Sequence, residues 1–104
     1  MGTYRRKLDI IADILAVAGG NAKKTQIMYK ANLSYAVMQK YLAKLMTSSL
    51  IEFQAESNRY TLTEKGRRYL EEYQKYSYSN KLAEKSLNDV RRRQQLLATF
   101  CSKE

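Results

Sequence analysis

Hydrophobic residues near the N-terminus recur at helical spacing. Over residues 4–18 one helical face carries Leu8, Ile11, Leu15 and Ala18, with Ile14 beside it. Gly19, Gly20 and Asn21 follow, and these residue types reach left-handed backbone angles at little cost. The pattern therefore predicts an amphipathic first helix that ends at about Ala18.

Two further helical segments follow, separated by a tight turn. Residues 24–31 place Ile27, Met28 and Ala31 on one side, and residues 32–34 then break the pattern, with Ser34 as a good N-cap. Residues 35–46 show hydrophobic positions at i, i+3, i+4 and i+7, namely Met38, Tyr41, Leu42 and Leu45. The opposite side of this third helix, here called its outer face, is small, polar and cationic: Ala36, Gln39, Lys40 and Ala43, with Lys44 at the edge.

The rest of the chain predicts a hairpin and one long helix. Residues 50–53 and 59–63 resemble short strands, and the polar residues between them favour a turn. Thr63 is a suitable N-cap for the last helix. Residues 64–101 contain no proline and, apart from Gly66 in the first turn, no glycine, so we expect one helix about 57 Å long at 1.5 Å per residue.

This order of elements defines the predicted fold class. Three helices, the last two joined by a short turn and followed by a hairpin, are the order of a winged helix-turn-helix. The prediction is a mainly α protein with a small β-hairpin: a winged helix-turn-helix domain in residues 1–70 and a long C-terminal coiled-coil helix in residues 64–104. In such domains the second helix of the motif enters the major groove of DNA, and its N-terminal residues meet the base edges.

The charge of the chain points to a polyanionic partner. Nineteen Lys and Arg against ten Asp and Glu give a net charge of +9, concentrated towards the two ends. Nucleic acid or an anionic membrane surface fits this balance, and solubility alone is the alternative. No apolar run approaches the ~18 residues of a membrane span, so we expect no membrane partner and a cytoplasmic, nucleoid-associated location.

Catalytic and metal-binding residue types are scarce. The single cysteine, Cys101, excludes an intramolecular disulfide and a cysteine-rich zinc site. The absence of histidine removes the imidazole base and the histidine metal ligand. We therefore expect no enzyme activity, no cofactor and no metal, and no small-molecule ligand is evident from the sequence.

Several segments resemble a known family. Residues 10–15, 24–35 and 60–66, with Lys40, Tyr41, Leu42 and Leu45, are similar to small archaeal winged-helix DNA-binding proteins, including chromatin-associated dimers from Sulfolobus-type organisms. The resemblance spans nearly the whole chain. It implies a homodimer formed through an antiparallel C-terminal coiled coil, and binding of double-stranded DNA without turnover.

The expected DNA contacts fall on four segments. On the third helix they are Ser34, Tyr35, Ala36, Gln39, Lys40 and Lys44, where Gln39 suits adenine and Lys40 suits guanine or phosphate. Outside it they are Asn58 and Arg59 on the wing, Lys23 and Lys24 at the start of the second helix, and Arg5, Arg6 and Lys7. The alternative for each cation is a solvated surface charge. Few of these side chains read bases, which favours modest sequence specificity.

The C-terminal helix carries a heptad seam that predicts the dimer. Its a and d positions are Tyr73, Tyr76, Asn80, Ala83, Leu87, Val90, Gln94 and Leu97, preceded by Tyr69, which we expect to pack against the wing. Two antiparallel registers stay open. One sets Leu87 against the partner's Val90; the other sets Ala83 against the partner's Leu87, and we favour it because it buries more tyrosine.

Two functional classes compete on this evidence. The leading hypothesis is a homodimeric DNA-binding protein, either a transcription regulator or a nucleoid-organising factor, with a slight preference for the architectural role because the chain is short and basic. The alternative is a winged-helix protein–protein interaction module that does not bind DNA.

Overall fold

The computed structural model describes residues 5–101, which fold into four helices and one hairpin. The elements are α1 (Lys7–Ala18), α2 (Lys24–Lys30), α3 (Tyr35–Thr47), β1 (Ile51–Gln54), β2 (Arg59–Leu62) and α4 (Glu64–Cys101). The chain divides into two compact units, one up to Tyr73 and the other from Gln74 onwards. The predicted order of elements is confirmed, and the bounds agree within about two residues, except that the predicted helix start at Tyr4 lies outside the described residues.

The core of the first unit forms where the apolar sides of α1, α2 and α3 meet. Its largest fully buried side chains are Ile14, Leu15, Ile27, Met38, Leu45 and Ile51. The predicted inward residues of α2 and α3 are buried or half-buried. In α1 the prediction was partly wrong: Leu8 is 43% exposed, and the buried face runs instead through Ala12, Ile14, Leu15 and Ala18. Leu8 lies in the first turn, two residues before the first α1 side chain that packs against the core.

Residues with left-handed backbone angles end the first three helices. They are Asn21, Asn32 and Ser49, with φ values of 60°, 55° and 62°. Gly19 and Gly20, which the sequence suggested for this role, do not adopt positive φ, and Gly19 stays right-handed at φ −60°. Asparagine tolerates the left-handed region because its short polar side chain interacts locally with the backbone.

The hairpin is antiparallel and extends beyond its two strands. Ile51 lies opposite Leu62, and Phe53 lies opposite Tyr60. Ala22 forms an isolated antiparallel bridge with Tyr60 of β2. The Ala22 N–H donates to the Tyr60 carbonyl oxygen, with an N to O distance of 3.1 Å, and the Tyr60 N–H donates to the Ala22 carbonyl oxygen at 2.7 Å. The loop before α2 is thereby fixed beside β2.

Close backbone packing joins the start of α4 to the end of α3. Thr63 caps α4, since its Oγ1 accepts a hydrogen bond from the Gly66 N–H at 3.0 Å. The same hydroxyl shares its one hydrogen between the carbonyl oxygens of Ser49 and Leu50, which lie 2.7 and 3.0 Å from Oγ1. Lys65 Nζ donates to the Ser48 carbonyl at 2.8 Å. Of these acceptors, the Ser48 carbonyl belongs to the C-cap of α3, and the Ser49 and Leu50 carbonyls belong to the segment that follows the helix.

The second unit continues α4 as regular helix. Every side chain from residue 81 to residue 100 is exposed. Three of the predicted seam residues, Leu87, Val90 and Leu97, are 50%, 47% and 64% exposed in the single chain. In the described part of the chain, no helix is both long and apolar enough for a membrane crossing.

Candidate nucleic-acid interface

The outer face of α3 is held outward by four buried anchors. Ser34 caps the helix, and its Oγ accepts a hydrogen bond from the Val37 N–H at 3.2 Å. Met38, Tyr41, Leu42 and Leu45 are buried against the core. Because helical positions repeat every 3.6 residues, this leaves the opposite side in solvent. All five outer-face residues are exposed, as are Ser34 and Tyr35.

A second cationic group lies beside the N-terminus of α3. Lys24, half-buried at the start of α2, places its Nζ 5.9 Å from the ring centroid of Tyr35, a distance suited to a cation–π contact. Tyr35 is itself 58% exposed. Lys23, which precedes Lys24 in the chain, is exposed as well. The structure therefore brings the predicted α2 and α3 residues together.

The wing is fastened to the same region. Arg59 Nη1 donates to the carbonyl oxygen of Asn21 at 2.9 Å, so this half-buried guanidinium has a structural partner in the loop between α1 and α2. Asn58 is exposed and left-handed, with φ 57°, at the turn of the hairpin. The hairpin turn thus presents the Asn58 amide to solvent.

The Arg5 guanidinium has three partners within the domain. Nη1 forms an ion pair with Asp13 at 2.7 Å and donates to the Ala31 carbonyl at 2.7 Å, and Nη2 donates to the Asn32 carbonyl at 2.9 Å. Arg5 therefore ties α1 to the C-terminal end of α2. Arg6 and Lys7 are exposed at the N-terminus of α1.

Sequence reasoning missed an aromatic cleft between α2 and the hairpin. The cleft has a volume of about 210 Å³ and is lined by Lys24, Phe53, Asn58 and Tyr60. The rings of Phe53 and Tyr60 lie 5.0 Å apart at 51°, and Phe53 is 40% exposed. The sequence did contain one signal for this cleft, since Phe53 and Tyr60 are aromatic residues at facing positions of the two strands. The Ala22–Tyr60 bridge, which holds the segment before Lys24 beside this pair, leaves no local pattern in the sequence.

Two tyrosines of α4 contact α1. Tyr69 donates its hydroxyl hydrogen to the Leu8 carbonyl at 3.2 Å and also packs against the buried core. The expected packing of Tyr69 against the wing stays a prediction. Tyr73 donates to Asp9 Oδ1 at 2.5 Å, and the two tyrosine rings stack at 6.4 Å. Tyr73, predicted for the dimer seam, is thus already hydrogen-bonded within its own chain.

The Asp9–Tyr73 hydrogen bond shifts both ionisations. The bond from Tyr73, with a second from the Arg6 N–H, lowers the pKa of Asp9. The bond to Asp9, followed by burial, raises the pKa of Tyr73 to about 12. Burial and the Asp9 charge raise the pKa of Tyr69. The ionised carboxylate and the neutral phenol therefore stabilise one another.

Comparison with known proteins identifies the class. A family model described as winged helix-turn-helix matches residues 4–81. The chain therefore belongs to the winged helix-turn-helix family. A search of curated proteins gave no significant match.

Solved structures agree with this assignment. The crystal structure of Sso10a-2, a DNA-binding protein from Sulfolobus solfataricus, is 28% identical with a TM-score of 0.68, covering 83% of this chain and 96% of that one. The resemblance to small archaeal winged-helix proteins is thereby confirmed.

ZitR from Lactococcus lactis shares the fold. Its structure in complex with DNA is 20% identical with a TM-score of 0.57, over 95% of this chain and 74% of that chain. A structure of wild-type ZitR is also 20% identical, with a TM-score of 0.56, and the match covers 97% of this chain and 77% of that chain.

Proposed function

We propose that this protein is a homodimeric double-stranded DNA-binding protein that acts without catalysis, as a transcription regulator or a nucleoid-organising factor. In this proposal α3 enters the major groove and the hairpin lies on the DNA backbone. The observation that carries the proposal is the outer face of α3, exposed along its whole length while four buried side chains fix its orientation.

The chemistry of this face suits close approach to a duplex. Ala36 and Ala43 are small, so the helix backbone can come near the groove floor. Gln39 carries an amide that can pair with adenine, and Lys40 can donate to guanine or to phosphate. Lys44, Lys23 and Lys24 add positive charge around this face for phosphate contacts.

The remaining predicted residues take secondary roles in the proposal. Asn58 and Arg59 place the hairpin turn against phosphates or the minor groove, while Arg6 and Lys7 supply further backbone contacts. Arg5 is left out because three intramolecular partners already engage its guanidinium. With Gln39 and Lys40 as the main base-reading groups, the proposed specificity is modest.

The relatives support duplex DNA as the partner. Sso10a-2 is described as a DNA-binding protein, and ZitR has been solved in complex with DNA. The net charge of +9 fits the same partner, because a phosphate backbone is a dense line of negative charge.

The exposed seam of α4 supports the homodimer. Leu87, Val90 and Leu97 are about half exposed or more in the single chain. Fully burying an exposed side chain of this size is worth about 1.5–3 kcal/mol, so covering the exposed part of each seam residue contributes a share of that value from each of the two helices. In the proposed antiparallel pair, Asn80 and Gln94 at a positions weaken the seam and select its register.

A charge reversal on α3 tests the DNA proposal. The Lys40→Glu variant removes one contact and introduces a repulsive charge, so we expect duplex affinity to fall about tenfold or more, measured by fluorescence anisotropy. The matched control is Lys85→Glu, the same change at an exposed position of α4. It should have a much smaller effect.

The salt dependence of the wild type supplies the second readout. If six or more phosphates are contacted, affinity should fall about 10³-fold between about 50 and 200 mM salt. Equal losses for the two Lys→Glu variants would show that only net charge matters, and the α3 interface would be wrong. Unchanged binding by Lys40→Glu would favour the protein-interaction alternative.

A further inference from the structure

The aromatic cleft is not needed for reading a base-paired duplex. Bases in a duplex are stacked on each other and present only their edges in the grooves. The cleft instead offers the exposed ring of Phe53, which packs on Tyr60 directly across the hairpin. An exposed aromatic ring beside a cation is the arrangement that binds the faces of unpaired bases.

The lining of the cleft supplies the other groups that a nucleotide requires. Lys24 lines the cleft and brings a positive charge for phosphate. Asn58 brings an amide that both donates and accepts hydrogen bonds, as the edge of a base requires. The volume of about 210 Å³ is sufficient for one nucleobase.

The fold holds these groups in fixed positions. The Ala22–Tyr60 bridge and the Arg59–Asn21 hydrogen bond fasten the loop before α2 to the hairpin, and this keeps Lys24 and Phe53 at the same cleft. Glu52 does not add negative charge to the cleft, because successive residues of a strand face opposite sides of the hairpin. The cleft is therefore a preformed cationic and aromatic site.

We propose that this cleft binds one unpaired nucleobase by stacking on Phe53, so that the protein binds single-stranded nucleic acid in addition to duplex DNA. This activity goes beyond the proposed duplex binding, although Lys24 and Asn58 are shared between the two surfaces. The bound base lies on the Phe53 ring with its edge towards Asn58 and its phosphate towards Lys24. Single-stranded DNA and RNA both present this chemistry.

The test compares single strands with duplex in one anisotropy assay. The probes are labelled oligo(dT), oligo(U) and a duplex, and the variant is Phe53→Leu, which keeps apolar bulk in the strand but removes the ring. We expect affinity for at least one single strand to fall about fivefold or more, because stacking on one aromatic ring contributes that much or more. Duplex affinity should stay within about twofold of wild type on the same scale.

Two further variants separate this site from α3 and from folding defects. Asn58→Gly removes the amide but keeps the left-handed turn, since glycine adopts φ 57° freely. Because Asn58 belongs to both proposed surfaces, this variant should weaken single-strand and duplex binding together. Lys40→Glu should weaken duplex binding much more than single-strand binding, which is the opposite of the result expected for Phe53→Leu. If it does not weaken duplex binding, the duplex proposal fails while the cleft proposal is still judged by Phe53→Leu.

A direct signal comes from Phe53→Trp, which introduces the single tryptophan of the chain. Stacking of a base should quench its fluorescence with oligo(dT) or oligo(U) and not with duplex, and the two oligonucleotides show whether DNA or RNA is preferred. The proposal is overturned if the wild type binds neither single strand, if Phe53→Leu changes single-strand and duplex affinity equally, or if it changes neither.

Discussion

Gly66 is the residue on which the junction of α3, the hairpin and α4 depends. A Cβ atom at this position would lie 2.3 Å from the Leu50 carbonyl oxygen and 2.6 Å from Leu62 Cδ1. The Leu50 oxygen cannot retreat freely, because it accepts hydrogen bonds from both the N–H and the hydroxyl of Thr63. Glycine is therefore required here by close packing, although it sits inside a helix.

The Gly66→Ala variant tests this packing requirement, because helix propensity and steric clash predict opposite changes in the free energy of unfolding. Helix propensity alone would favour alanine by about 1 kcal/mol. The steric clash should outweigh this gain, since overpacking costs about 1–3 kcal/mol or more when backbone must move. We expect a lower free energy of unfolding and a Tm reduced by about 5 °C or more in thermal denaturation.

Gly20 provides the matched control for this substitution. A Cβ atom there meets only the Val17 carbonyl oxygen at 3.7 Å, an ordinary contact. Gly20→Ala should change the free energy of unfolding by no more than about 0.5 kcal/mol, or raise it slightly. If both variants unfolded at the wild-type temperature, the packing argument for Gly66 would fail.

The Asp9–Tyr73 hydrogen bond predicts how stability depends on pH. Asp9 has a lowered pKa in the folded protein, so its contribution is present above the unfolded pKa and is lost as the pH falls through the folded one. Tyr73 has a pKa raised to about 12, so its contribution is complete below about pH 10 and is lost as the pH rises towards 12. Tyr73→Phe should lower stability near neutral pH by about 1 kcal/mol.

Urea denaturation across the pH range checks this prediction. The difference between wild type and Tyr73→Phe should be largest between the two transitions and should shrink in acid and in strong alkali. Tyr78→Phe is the control, because Tyr78 is exposed. A constant difference at every pH would mean that the phenol–carboxylate bond is not the cause.

At the scale of the elements, helices and strands followed from local spacing. The anchors of α3 and the caps at Ser34 and Thr63 were predictable because each depends on residues three or four positions apart. The contacts of Tyr69 and Tyr73 with α1 were not, because more than sixty residues separate the partners. The same limit applies to the aromatic cleft, which depends on the Ala22–Tyr60 bridge.

The seam of α4 makes a prediction about assembly. Leu87→Lys places a charge on the proposed dimer contact and should shift the protein towards monomer in analytical ultracentrifugation, because a buried unpaired charge is costly. Asn88→Lys introduces the same charge at the adjacent exposed position, outside the seam, and should leave the dimer intact. Identical sedimentation of both variants would contradict this seam.

Orientation within the dimer can be read from introduced thiols. With Cys101 replaced by serine, Asn80→Cys alone should crosslink only in a parallel pair. Combining Asn80→Cys with Val90→Cys should allow a crosslink between these two positions in the register that sets Ala83 against the partner's Leu87. Combining Asn80→Cys with Leu97→Cys should allow one in the register that sets Leu87 against the partner's Val90. Crosslinking by the single Asn80→Cys variant would rule out the antiparallel arrangement.

At the scale of the whole molecule, the charge and the family agree on a nucleic-acid partner. We propose three surfaces for three tasks, two of which share Lys24 and Asn58. The outer face of α3 suits base edges, the cleft suits unpaired bases, and the α4 seam suits a second copy. Composition alone could favour a polyanionic partner, because the net charge of +9 is a property of the whole chain. It could not predict that Arg5 is engaged internally, since that depends on three tertiary contacts.

The central claim is that duplex DNA contacts the outer face of α3, and amide chemical shifts during a duplex titration test it most directly. We predict that the largest shift changes fall at residues 34–44, with a second group at residues 58–59 and 23–24. Shift changes concentrated in residues 74–101, with residues 34–44 unaffected at saturation, would contradict the claim.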